Sequence, residues 1–227
     1  NYLEDYIDQS DAKMISFDYY PFDNQQYSKD LGIVGYFANL SVVREKAMKY
    51  DIPFWTYIQA GSNWGVTTDT TPNDTPTRGQ MLWNINTSLA YGAQGIQYYP
   101  LIQPEFESYV LTQDDVGSLI EYDYGRQGLL GANGEPTKWH EYAKAANEQI
   151  ANIDEILLQA ESKEIIWTGT EADLILGSSG KASDGVLASM ETEPYYEQYC
   201  SAMVGVFEKG KANVKFTARS SGGHASA

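Results

Sequence analysis

Residues 53–65 read PFWTYIQAGSNWG. A run of strand formers from Phe54 to Gln59 gives way to Gly61, Ser62, Asn63 and Gly65, with Trp64 among them. Aromatic and β-branched residues suit a pleated, half-buried surface, whereas Gly, Ser and Asn suit turns. A strand that stops in a small polar loop bearing an aromatic side chain is how an α/β enzyme presents a site. MISFDYYPF at 14–22 and GIQYYPL at 95–101 have the same shape.

Alternation within these stretches sorts their side chains into two faces, because successive residues of a strand point to opposite sides. In the first, Ile15 and Phe17 are expected to meet a packed outer layer, and Ser16, Asp18 and Tyr20 to point inward until Pro21 ends the strand. In the second, Phe54, Thr56 and Ile58 form one face; Trp55, Tyr57 and Gln59 form the other, assigned to the inside. In the third, Gly95, Gln97 and Tyr99 oppose Ile96 and Tyr98. Trp55 and Trp83 are expected in the core.

Helical periodicity fills the intervals. Ile33, Phe37, Leu40, Val43 and Ala47 make one stripe over 33–50, with Arg44, Glu45 and Lys49 off it. Thr75 or Thr77 can cap a helix running to about Tyr91, with Met81, Leu82, Ile85 and Leu89 as its stripe and Gly92 in the left-handed position beyond it. Asn133-Gly134 signals a turn, and Thr137 is a cap before Trp139, Tyr142, Ala146, Ile150, Ile153 and Leu157, which predict one long helix. Tyr2, Leu3, Tyr6 and Ile7 also fall at helical spacing. After Ala160, short β-like runs separated by Gly, Ser and Lys predict an all-β piece. The expected domains are therefore 1–160, an α/β domain, and 161–227, a small β-rich, sandwich-like domain.

The order strand–helix–strand–helix–strand–helix implies parallel strands. Short links lead into the strands and long ones leave them, the pattern of a barrel whose strand C-terminal ends carry the site. An open doubly wound sheet is the other solution. The glycines at 61, 65, 92 and 95 match no phosphate-binding fingerprint.

The 227 residues carry a formal charge of −16, which argues against nucleic acid or an anionic membrane surface as partner. No run of ~18 apolar residues is present to span a bilayer. Cys200 is the single cysteine, so no intrachain disulfide and no cysteine metal site is expected. With His140 and His224 alone, a histidine metal site and a Ser–His–Asp triad are poorly supported, and no cofactor is expected. The chain opens on Asn1 without an initiator Met, consistent with a processed or truncated start.

FDYYPF at 17–22, PFWTYIQAG at 53–61, LAYGAQGIQYYP at 89–100 and NGEPTKWHEY at 133–142 resemble the last three βα units of a retaining glycoside hydrolase of the (β/α)8, TIM-type barrel class. The group is that of β-galactosidase-like family 42 enzymes, and the resemblance covers about residues 14–160. It implies that these strands are the sixth, seventh and eighth of the barrel, with strands one to five and their acid/base Glu outside this chain. A fragment, a partner chain or self-association is then expected. It also implies a departure, since such families place a nucleophilic Glu at the end of the seventh strand, where Gln59 stands. An amide cannot form the covalent intermediate, which needs an ionised carboxylate.

Glycoside cleavage needs two carboxyl groups astride the bond. Asp18, on the inferred inner face near a strand end, is the first candidate; its plainer role is a hydrogen bond to a neighbouring loop. Glu105, after the third strand, is the second; its plainer role is a solvated loop acid. Sugar recognition needs flat apolar faces and planar polar groups. Tyr20, Tyr57, Trp64 and Tyr99 supply the former, and Gln59 and Gln97 the latter. The leading expectation is a secreted or periplasmic glycoside hydrolase, or a piece of one, acting on a carbohydrate. The rival is a non-catalytic carbohydrate-binding or scaffold protein on the same fold, which Gln59 favours.

Overall fold

The computed structural model describes residues 2–21, 29–61, 76–102, 111–112, 119–120, 128–131, 133–168, 180–182, 202–209 and 212–219. Three parallel strands form its centre, in the order β1 (Ile15–Phe17), β2 (Phe54–Gln59) and β3 (Gly95–Tyr99). The crossovers are α2 (Lys29–Tyr50) and α3 (Arg78–Ala90), and α1 (Tyr2–Ser10) precedes them. Short strands β4 (Leu111–Thr112) and β5 (Leu119–Ile120) pair antiparallel. Then come α4 (Lys138–Ile150), α5 (Asp154–Leu158), β6 (Glu161–Thr168), β7 (Gly180–Ala182), β8 (Ala202–Lys209) and β9 (Ala212–Arg219). The last four form a sheet in the order β7-β6-β8-β9.

Alternation sorts the central strands as their period of two requires. Phe54, Thr56 and Ile58 are buried on the helix side. One apolar cluster joins Ile15 and Phe54 to Tyr36, Phe37, Leu40 and Val43 of α2 and Trp83 of α3. A second joins Ile58 to Met81, Ile85 and Leu89 of α3 and to Trp139, Ala143 and Ala146 of α4. Thus α3 serves both clusters, which accounts for its near-complete burial. Its start is a full capping box: Gln80 N donates to Thr77 Oγ1 at 3.2 Å and Thr77 N to Gln80 Oε1 at 2.8 Å. Gly92 follows with φ 92°, and Gly134 turns the 131–135 loop with φ 83°.

Several expectations change. β1 is shorter than residues 14–20, so Asp18 and Tyr20 lie just beyond the ladder. The single helix expected from Trp139 to Leu157 breaks at 151–153 into α4 and α5. The apolar period continues through the turn, so the pattern alone does not show the break. Thr137 sits at the N-cap of α4, but its hydroxyl turns away and donates to Gly128 O at 2.6 Å. Trp83 is core, whereas Trp55 is 38% exposed, because it projects from the sheet face opposite the helices. Of the helical stripe in α1, only Ile7 is buried; Tyr2 and Tyr6 are exposed.

The β6–β9 sheet lies against α3 through β8 and β9, and Ile165 of β6 enters the same apolar cluster as α2. Arg44, expected off the helical stripe, is buried, and both Nε and Nη2 donate to Ser162 Oγ of β6.

Candidate carbohydrate-binding face

The register of the parallel strands sets rows across the face that no helix covers. Ser16, Trp55 and Gly95 share one row, Tyr57 and Gln97 the next, and Gln59 and Tyr99 the last. Gly95 belongs to its row for a steric reason: the Trp55 indole lies where a Cβ at 95 would fall. Gln97 Nε2 donates to Ser16 Oγ at 3.3 Å, reaching over the middle strand.

Past the ladder, Tyr20 leans over the end of β2. Its ring stacks on Tyr99, with centroids 5.7 Å apart and an interplanar angle of 27°. The Tyr20 hydroxyl is hydrogen-bonded to the Asp18 carboxylate, and Tyr57 lies within electrostatic reach. Burial pushes the Tyr20 phenol well above its ordinary range; the bond to Asp18 and that carboxylate's charge add to the shift. Tyr20 is therefore a neutral phenol that donates to Asp18.

Gln59 is 1% exposed, although it sits at the end of its strand. A buried polar chain lies behind it. Gln59 N donates to Asn84 Oδ1 at 3.4 Å, Asn84 Nδ2 donates to Tyr36 Oη at 2.9 Å, and Tyr36 Oη lies 3.2 Å from Ser88 Oγ. Ser88 Oγ donates to Asn84 O at 2.8 Å. Burial raises the Tyr36 phenol, so it too stays protonated. Sequence reasoning passed over Asn84, Tyr36 and Ser88. The available signal was Asn84 and Ser88 one helical turn apart, among the apolar residues of α3.

The structure thus brings Asp18, Tyr20, Tyr57, Gln59, Gln97 and Tyr99 to one face. Trp64 and Glu105 lie outside the described residues. Asp18 is the carboxylate that the described strand ends present here, and one carboxylate does not make the pair that glycoside cleavage needs. The face can offer ring faces to sugar C–H groups, and amide and carboxylate groups to paired hydroxyls. No group of three or more His, Cys, Asp or Glu side chains that could hold a metal ion occurs among the described residues, and none of their helices is long and apolar enough to cross a membrane.

No family model matches the sequence, and no curated protein matches it. Among solved structures, the chain is similar to a β-galactosidase from the psychrophilic Marinomonas ef1, with a TM-score of 0.47 and 15% identity. The match covers 82% of this chain and 34% of that one, so this chain spans well under half of that protein's length.

Proposed function

We propose that the C-terminal ends of β1–β3 form a carbohydrate-binding face belonging to a site of the glycoside hydrolase type. The Tyr20–Tyr99 stack, flanked by Asp18 and Gln97, carries this reading, whereas Gln59 is buried at the end of its strand. Stacked rings offer a flat apolar platform, and the flanking groups offer planar acceptors and donors.

Non-catalytic binding is the reading favoured for the described residues. Gln59 has an amide where the family 42 resemblance calls for a nucleophilic carboxylate, and Asp18 already accepts a bond from Tyr20. Hydrolysis would require Asp18 to act with a second carboxyl group, for which Glu105 is the candidate.

Calorimetric titration with β-linked disaccharides, such as lactose and cellobiose, tests the binding reading. Saturable binding that weakens about tenfold or more in Tyr99→Ala is expected, a loss of about 1.4 kcal/mol. Binding indifferent to both Tyr99→Ala and Tyr20→Ala would refute the assignment of this face. Release of nitrophenol from nitrophenyl β-glycosides, abolished by Asp18→Asn, would establish catalysis instead.

A further inference from the structure

A second space lies at the opposite ends of the strands. A cavity of about 450 Å³ is bounded by the N-terminal ends of β2 and β3, by α2, by α4 and α5, and by the start of β6. That volume is within the range of small-molecule pockets, about 300–1,000 Å³. Leu89, Ile96, Ile150, Leu157 and Phe207 supply apolar lining, and Arg44 lines it as well. It shares no side chain with the carbohydrate face.

Arg44 is the unusual member. It is 6% exposed, and its two hydrogen bonds, of 3.3 and 3.1 Å, both go to the one Ser162 hydroxyl. No carboxylate among the described residues pairs with it. A guanidinium keeps its charge in proteins and has more N–H donors than these two bonds use. A buried charge is costly unless acceptors reach it. The cavity beside Arg44 is where an acceptor can enter.

We propose that this cavity binds a small amphipathic carboxylate, its head forked by Arg44 and its short apolar tail lying against Ile96, Ile150 and Leu157. The planar guanidinium matches a carboxylate in bidentate fashion. Asp51, Asp154 and Glu161 also line the cavity. They are exposed or half-buried, so solvent screens them more than it screens Arg44. They keep the surroundings net negative, which favours a monoanionic carboxylate over a phosphate dianion.

Calorimetric titration of the full chain with octanoate, octyl phosphate and octanol tests this. Octanoate is expected to bind at one site, with octanol and octyl phosphate weaker by about tenfold or more. Arg44→Gln should remove octanoate binding, as should Ile150→Trp, which fills the cavity and leaves Arg44 in place; circular dichroism confirms that each variant is folded. If Arg44→Gln does not fold, Ile150→Trp decides. Absence of octanoate binding overturns the proposal. So does equal binding of octanol, tighter binding of octyl phosphate, or octanoate binding that survives Ile150→Trp.

Discussion

Tyr20 stacks on Tyr99 with ring centroids 5.7 Å apart, and so joins the end of β1 to the end of β3 across the middle strand. Two inter-strand spacings amount to roughly 10 Å, so both rings must lean over β2 to meet. The ladder of β1 stops at Phe17, which frees the backbone at Asp18–Tyr20 to turn inward.

The Tyr20 phenol titrates beside the Asp18 carboxylate. The folded state favours the neutral Tyr20 phenol, through burial first and Asp18 second. Its contribution to stability is therefore complete below the unfolded value of about 10 and is lost as pH rises through the higher folded value. Asp18→Asn removes the negative charge, so Tyr20 should ionise at lower pH than in the wild type. The phenolate absorbance of Asp18→Asn, with Tyr20→Phe identifying the band, measures this; an unchanged titration would dissolve the pair.

Asn84 is buried and holds both the Tyr36 hydroxyl and the backbone N–H of Gln59. Asn84→Ala leaves buried groups unsatisfied, at about 1–3 kcal/mol for such a group. The urea midpoint should fall with an unchanged slope. A stability equal to that of the wild type would mean that water replaces the side chain.

Gly95 and Trp55 occupy adjacent positions of one row, with the indole over the glycine. Gly95→Ala must displace the ring, because the new methyl would fall on it. The expected result is a changed near-ultraviolet circular dichroism spectrum with the far-ultraviolet spectrum retained. Identical near-ultraviolet spectra would show that the indole does not rest there.

Glu4 attaches α1 to α2 through Lys49 at 2.5 Å and Lys46 at 3.2 Å. The hydrogen bond from Lys49, then that from Lys46, lowers its pKa from 4.5 to about 2. A lowered carboxyl value stabilises the fold above the unfolded value, and that stabilisation is lost as pH falls from about 4.5 through 2. Amide exchange in α1 should accelerate over that window, and Glu4→Gln should exchange faster already at neutral pH. Equal protection in wild type and Glu4→Gln at pH 7 would show that apolar packing, of Ile7 and Leu3 among others, holds the helix without the Glu4 ion pairs.

Much of the fold was legible because it depends on local rules. The alternation of Phe54, Thr56 and Ile58 against Trp55 and Tyr57 needs only the pleat. The start of α3 at Thr77 needs only a cap, and Gly92 only its freedom to take positive φ. That Trp55 and Tyr57 share a side with Gln97 was legible for the same reason, whereas Asp18 and Tyr20 lie beyond the ladder, where strand parity no longer places them. The break at 151–153 was not, because no Gly or Pro marks it and the apolar period crosses it.

By itself the sequence determined the three parallel strands, their parity and the aromatic and amide-bearing character of the candidate face, because each follows from neighbours in the chain. Tertiary structure alone decided the rest, because those features pair residues that are remote in sequence. The stack of Tyr20 on Tyr99, the burial of Gln59 behind Asn84 and Tyr36, and the enclosure of Arg44 by Ser162 all depend on which element lies next to which. Arg44 shows the difference most plainly. Helical periodicity put it beside Glu45 and Lys49, and only the approach of β6 removed it from water.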